Sequence, residues 1–220
     1  MYRPRFYTGA GINPQHILKR RSMETTVKTA KLRTITGVAV LSAAAFILAF
    51  LEFPVPLSPA FARMDLSDLP ALIGAFAYGP VAGVLVELVK NALQLTSTAT
   101  AGVGELANFI MGGTFMLVAG AVYRQRKTKK AAIFACLIAS LAMGIAAAVV
   151  NYFILLPAFE AFMPLNELIA SFGEFMPFIR TKLDVVLFNA LPFNLLKGLV
   201  ISAVTMLIYK KLSPILKGAA

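Results

Sequence analysis

Leu69-Pro70-Ala71-Leu72-Ile73-Gly74-Ala75-Phe76-Ala77-Tyr78-Gly79-Pro80-Val81-Ala82-Gly83-Val84-Leu85-Val86-Glu87-Leu88-Val89-Lys90-Asn91-Ala92-Leu93-Gln94-Leu95 is the stretch on which the topology of this chain turns. Read as one helix, it crosses a bilayer once; read as two, it crosses twice. Gly79-Pro80 sits in its middle. Proline lacks an amide hydrogen and crowds the carbonyl four residues back, while glycine favours a turn before it. The pair therefore predicts two short helices, about 69–79 and 81–95. Each is shorter than the roughly 20 residues of a full span, and tilting or local thinning of the bilayer accommodates them.

Outward from this stretch lie longer apolar runs at 34–51, 104–122, 131–156 and 191–209. They have no period-two alternation, so helices rather than a barrel must satisfy their backbone groups in lipid. Of the 220 residues, 59% are apolar and 14% charged, where a soluble domain has about half and about a quarter. The net charge of +11 raises a nucleic-acid reading, and the distribution argues against it. Sixteen of the 21 Lys and Arg lie in residues 1–33, in 124–130 and after Tyr209, at the flanks of apolar runs. Basic flanks belong in the cytoplasm. The basic arm, the loop Arg124-Gln125-Arg126-Lys127-Thr128-Lys129-Lys130 and the Lys210-Lys211 end then share one side. A single crossing within 69–95 would break that parity, and two crossings keep it. The expectation is an all-α, polytopic membrane protein with six transmembrane helices and cytoplasmic N and C termini.

Residues 1–30 read as a basic cytoplasmic extension, 31–212 as the six-helix domain and 213–220 as a short cytoplasmic tail. Residues 1–22 are polar and carry Pro4, Gly9, Gly11 and Pro14, so they read as flexible. They have neither the apolar core nor the cleavage site of a signal peptide. Met23 offers a natural start, which leaves open whether 1–22 are native. His16 is isolated there, and Cys136, the only cysteine, reads as packing within a span.

Ionisable groups inside a span usually face a cavity or a partner. Glu87 and Lys90 are three apart on one helix face, the spacing of a structural ion pair. Lys197 lies twelve residues before Tyr209, about 18 Å from the cytoplasmic end, too deep to snorkel easily. A polar cavity or a buried structural partner would explain it. Asn194 is one turn further out on the same face, and Asn108 and Asn151 lie at similar depth on two other helices. Together the four predict an outward-facing hollow lined by amide and ammonium donors, suited to a neutral ligand rich in hydroxyls and carbonyls. The proline-stiffened loop from Pro54 to Asp65 carries Phe61 and Met64 and reads either as an apolar cover or as a plain connector. Ala39 and Ala43 form a small-xxx-small pattern that lets another helix approach closely, internal or external.

The chain lacks a P-loop, a H-E-x-x-H motif, a G-x-S-x-G motif and a Cys/His cluster. This describes a binder without an engine of its own. An intramembrane enzyme would need an acid/base pair or nucleophile at one depth, and only Glu87/Lys90 is available. A structural or assembly subunit is the third reading.

Seven stretches, in order and with matching spacing, carry a family resemblance: Phe53-Pro54-Val55-Pro56-Leu57, Met64-Asp65-Leu66-Ser67-Asp68-Leu69-Pro70-Ala71-Leu72-Ile73, Gly79-Pro80-Val81-Ala82-Gly83, Glu87-Leu88-Val89-Lys90-Asn91, Gly102-Val103-Gly104-Glu105-Leu106-Ala107-Asn108-Phe109, Asn151-Tyr152-Phe153 and Pro192-Phe193-Asn194-Leu195-Leu196-Lys197-Gly198. From about residue 31 to 212 the chain resembles the riboflavin-specific substrate-binding (S) component of energy-coupling factor (ECF) transporters. The resemblance implies a plasma-membrane subunit that binds riboflavin from outside as a transported substrate, with no cofactor. It also implies two kinds of partner, a transmembrane coupling subunit and a pair of ABC ATPases. Polar ligand contacts carry over to Asn151, Asn194 and Lys197. Asn108, Met64 and Asp65 match the pattern as further substrate contacts, and Ala39/Ala43 match the place of docking on the coupling subunit. An S component for another vitamin is the alternative within the same class.

Overall fold

Gly79, with φ 104° and ψ 167°, ends one helix and starts the next. In the computed structural model, which describes residues 14–54, 63–98 and 100–216, helix α2 (Asp68–Tyr78) stops there and α3 (Pro80–Gln94) begins with Pro80 in its first turn. Proline fits that place because the first helical N–H groups have no intrahelical acceptor. The Gly-Pro break is thus observed where the sequence expects it. The two helices fold back on one another, and Gly83 lies against the Ala71 carbonyl and the Ala75 methyl.

The chain falls into two compact units, residues 1–36 and 37–220. The first is helical from Pro14 onward, as the start of α1 (Pro14–Ala49). Residues 14–22, expected to be flexible, are therefore helical: Pro14 sits in a first turn, where its missing N–H costs nothing, and neither glycine nor proline follows it within that stretch. Residues 1–13 and 217–220 lie outside the described residues, as do 55–62 with Phe61.

In the second unit, β1 (Phe53–Pro54) pairs antiparallel with β2 (Arg63–Met64), a short ladder that the sequence did not announce. Helix α4 (Val103–Gln125) packs between α3 and α5 (Lys129–Val150), and α5 packs on α9 (Leu191–Leu216). The Thr128 hydroxyl caps α5 by accepting from the Ala131 amide at 3.2 Å, just after the basic loop. Small side chains make the α5 contacts close: Ala132, Ala135, Ala139, Gly144 and Ala147 are all buried. Helix α2 rests on α3, α4 and α9.

Two π-helical segments interrupt the later helices. Asn151–Leu155 joins α5 to α6 (Leu156–Phe159), and Val186–Ala190 joins α8 (Lys182–Val185) to α9. Each lies just before a proline, Pro157 or Pro192. A proline cannot donate to the carbonyl four residues back and pushes it away, so the turn widens. A second apolar cluster of Leu156, Leu168, Phe172, Ile179, Val185 and Val186 ties α7 (Leu165–Gly173) to these segments. Four described segments are long and apolar enough to cross a membrane: Lys28–Ala49, Val103–Gln125, Lys129–Phe159 and Lys182–Ile208. Helices α2 and α3, at 11 and 15 residues, are shorter.

Candidate functional site

Charges within apolar helices survive only when they are compensated, and here they compensate one another. Lys90 on α3 is fully buried, its Nζ 2.7 Å from Glu87 Oε2 and 2.7 Å from Asp68 Oδ1, and it donates to Ser67 Oγ at 3.1 Å. The Glu87–Lys90 pair read from helical spacing is therefore present. Asp68 opens α2, with its other oxygen 3.1 Å from Lys197 Nζ. Asp65 Oδ2 lies 3.6 Å from the same amine. Asp65 also accepts from the Ser67 amide at 2.7 Å, which holds the turn between β2 and α2.

The network closes into a ring. Lys197 donates to Asn108 Oδ1 at 3.5 Å, Asn108 Nδ2 donates to Asn91 Oδ1 at 3.3 Å, and Asn91 Nδ2 donates to Glu87 Oε2 at 3.3 Å. Glu87 leads through Lys90 to Asp68, and Asp68 leads back to Lys197. Four helices, α2, α3, α4 and α9, are thereby joined by side chains far apart in sequence. Gly112 makes room for it: a Cβ there would lie 2.7 Å from Glu87 Oε2.

Beside the ring lies a cavity of about 810 Å³, within the usual range for small-molecule sites. Asn91 and Asn108, both ring members, line it together with Gln94, Ser97, Thr100 and Glu105 from α3, α4 and their connection. Phe50 and Glu52 just after α1, Arg63 from β2, and Phe159, Phe162, Met163 and Leu168 add to the wall. The Glu52–Arg63 ion pair, at 3.9 Å, is half exposed. Gln94 Oε1 is buried without a hydrogen-bond partner, a cost of about 1–3 kcal/mol unless a ligand group or water meets it. The wall thus combines aromatic and thioether surface with amides, hydroxyls and carboxylates.

Asn108 lines the cavity. Lys197 is buried behind it, held by Asp68, Asp65 and Asn108. Lys197, Asn151 and Asn194 are not among the residues lining this cavity, and Asp65 and Asp68 compensate the Lys197 ammonium. Asn151 is half-buried at the first π segment, donating to the Ala147 carbonyl at 2.8 Å with Met111 Sδ at 4.0 Å. Asn194 is buried and donates to the Ala190 carbonyl at 2.9 Å. Met64 is buried in β2, and Ala39 and Ala43 are exposed on α1. Sequence reasoning missed Asp68 and Asn91 as members of the site. The available signal was charge balance: two deep lysines require more carboxylate than Glu87 alone supplies.

Comparison with known proteins follows the same lines. Residues 33–209 match the family described as ECF transporter, substrate-specific component. The riboflavin transporter RibU of Staphylococcus aureus (strain TCH60) is 39% identical over 186 residues, covering 84% of this chain and 92% of that protein. The riboflavin transporter FmnP of Bacillus subtilis (strain 168) is 37% identical over 187 residues, covering 84% of this chain and 94% of that one. A solved structure of the S component of a bacterial ECF transporter superposes with a TM-score of 0.66 at 35% identity, covering 85% of this chain and 99% of its own.

Proposed function

This chain belongs to the substrate-specific components of ECF transporters, and we propose that it captures riboflavin at the outer face of the cell membrane and releases it inward. As a transporter component it is a binding subunit and not an enzyme. The cavity walled by Asn91 and Asn108 is the single observation that carries the reading, because it joins ligand-sized space to fixed amides. Its aromatic and thioether lining suits a flat ring system. Its amides and hydroxyls suit a ligand bearing ring carbonyls and a hydroxylated chain.

In this proposal α2 and α3 cross the membrane as two short spans, giving six crossings with both termini in the cytoplasm. Asn151, Asn194 and Lys197 supply polar contacts, Asn108 a further one, and the turn at Met64-Asp65 borders the site. Lys197 acts through Asn108 as well as on its own, since its amine already touches that amide. The chain supplies no ATP site of its own, so a transmembrane coupling subunit and two ABC ATPases drive release. The exposed Ala39 and Ala43 are the proposed docking stripe for the coupling subunit. Flavin fluorescence quenching on the purified chain is the test. Saturable, tight quenching is expected, weakened at least about tenfold in Lys197→Ala and Asn151→Ala. Absence of saturable binding by the parent chain would refute the function, and parental affinity in both variants would refute the site.

A further inference from the structure

The two neighbours of Asn108 fix which way its amide faces. Lys197 Nζ, 3.5 Å away, can only donate, so the Asn108 atom facing it is the oxygen. On the other side, Asn91 sits 2.8 Å from the Glu87 backbone carbonyl. That carbonyl can only accept, so the Asn91 atom facing it is the nitrogen, and the Asn91 oxygen turns to Asn108. Both ends give the same answer for Asn108: oxygen toward Lys197, nitrogen toward Asn91. A flip of either amide would set donor against donor and acceptor against acceptor. After these bonds the Asn108 amide retains one N–H and one oxygen lone pair, and the residue lines the cavity. Asp68, 1% exposed, closes the ring by holding Lys197 at 3.1 Å and Lys90 at 2.7 Å.

Resting on the reading of the cavity as a flavin site, we infer that the locked Asn108 amide reads an imide-type edge of the ligand, a ring carbonyl beside a ring N–H. The amide N–H donates to the ligand carbonyl and the amide oxygen accepts from the ligand N–H. Asp68 and Asn91 do not touch the ligand through this pair of bonds; they are positioning residues that hold the amide in one orientation. A free amide would flip to suit either order of donor and acceptor. A locked one rejects a ligand whose N–H has been replaced, because the buried oxygen then loses its partner.

The test compares riboflavin with riboflavin methylated on the imide nitrogen, each titrated by fluorescence quenching against the full chain in detergent. The parent chain is expected to bind the methylated flavin at least about tenfold more weakly. Asp68→Asn and Asn91→Ala are expected to weaken riboflavin about tenfold and to change the methylated flavin by less than about threefold, so the ratio falls toward one. Asn91→Ala removes no buried charge, which keeps the test decisive where Asp68→Asn does not fold. A purely structural role would lower both affinities together and leave the ratio intact. Equal binding of the two flavins by the parent, or an unchanged ratio in the variants, overturns the inference and leaves riboflavin capture standing. Failure of the parent to bind riboflavin overturns both.

Discussion

Replacing Lys90 by methionine asks whether the buried charges depend on one another. The Lys90 amine lies 2.7 Å from Asp68 Oδ1 and 2.7 Å from Glu87 Oε2, and the residue is 0% exposed. Methionine roughly preserves the stem and removes the ammonium. Asp68 keeps Lys197 at 3.1 Å. Glu87 keeps only Asn91 through Oε2, and its Oε1 is already without a hydrogen bond. Removing one partner of a buried ion pair costs about 3–5 kcal/mol, and the retained Lys197 places this case near the lower end. For a chain of this size that lowers the unfolding midpoint by about 10 °C. The double variant Lys90→Met/Glu87→Leu removes both charges, and apolar replacement of a buried pair is commonly neutral or stabilising. It is expected within about 1 kcal/mol of the parent. Cys136, the only cysteine and 1% exposed, supplies the readout. A thiol-reactive fluorophore reports its exposure as the detergent-solubilised protein is heated. A single variant that melts with the parent, or a double variant no better than the single one, would refute the reasoning.

Adjacent glycines on α4 make a sharp contrast. Gly112→Ala would place its Cβ 2.7 Å from Glu87 Oε2, whereas Gly113→Ala meets nothing nearer than Phe109 Cε2 at 3.8 Å. The first is expected to lose about 1–3 kcal/mol and to weaken flavin binding; the second is expected to be neutral or to gain up to about 1 kcal/mol from helix propensity. Equal melting shifts by the Cys136 assay would contradict this. Ala39→Leu with Ala43→Leu changes exposed positions, so folding should shift by less than about 0.5 kcal/mol and riboflavin binding should hold. Copurification of the coupling subunit should be lost, and its retention would remove Ala39 and Ala43 from the docking surface.

Features whose causes are local were legible in the residue order. Gly79-Pro80 stops α2 and starts α3 because proline and glycine constrain only their immediate neighbours. The Thr128 cap of α5 is equally local in cause, but it went unread in the sequence. Pro157 and Pro192 carried the signal for the π segments, which went unread. Glu87 and Lys90 could be paired in advance because three residues on a helix share a face.

The ring pairs Asp68 with Lys197 and Asn91 with Asn108, contacts between helices that no periodicity relates. Amino-acid order by itself determined an apolar, multi-helix chain, the place where it breaks, and that deep amides and lysines would need partners. Only the packing of α2, α3, α4 and α9 decided which carboxylate meets which amine, and that Asn91 and Asn108 come to line one cavity. The physical reason is range: backbone geometry and capping act over a few residues, whereas charge compensation and empty space depend on which helices come together.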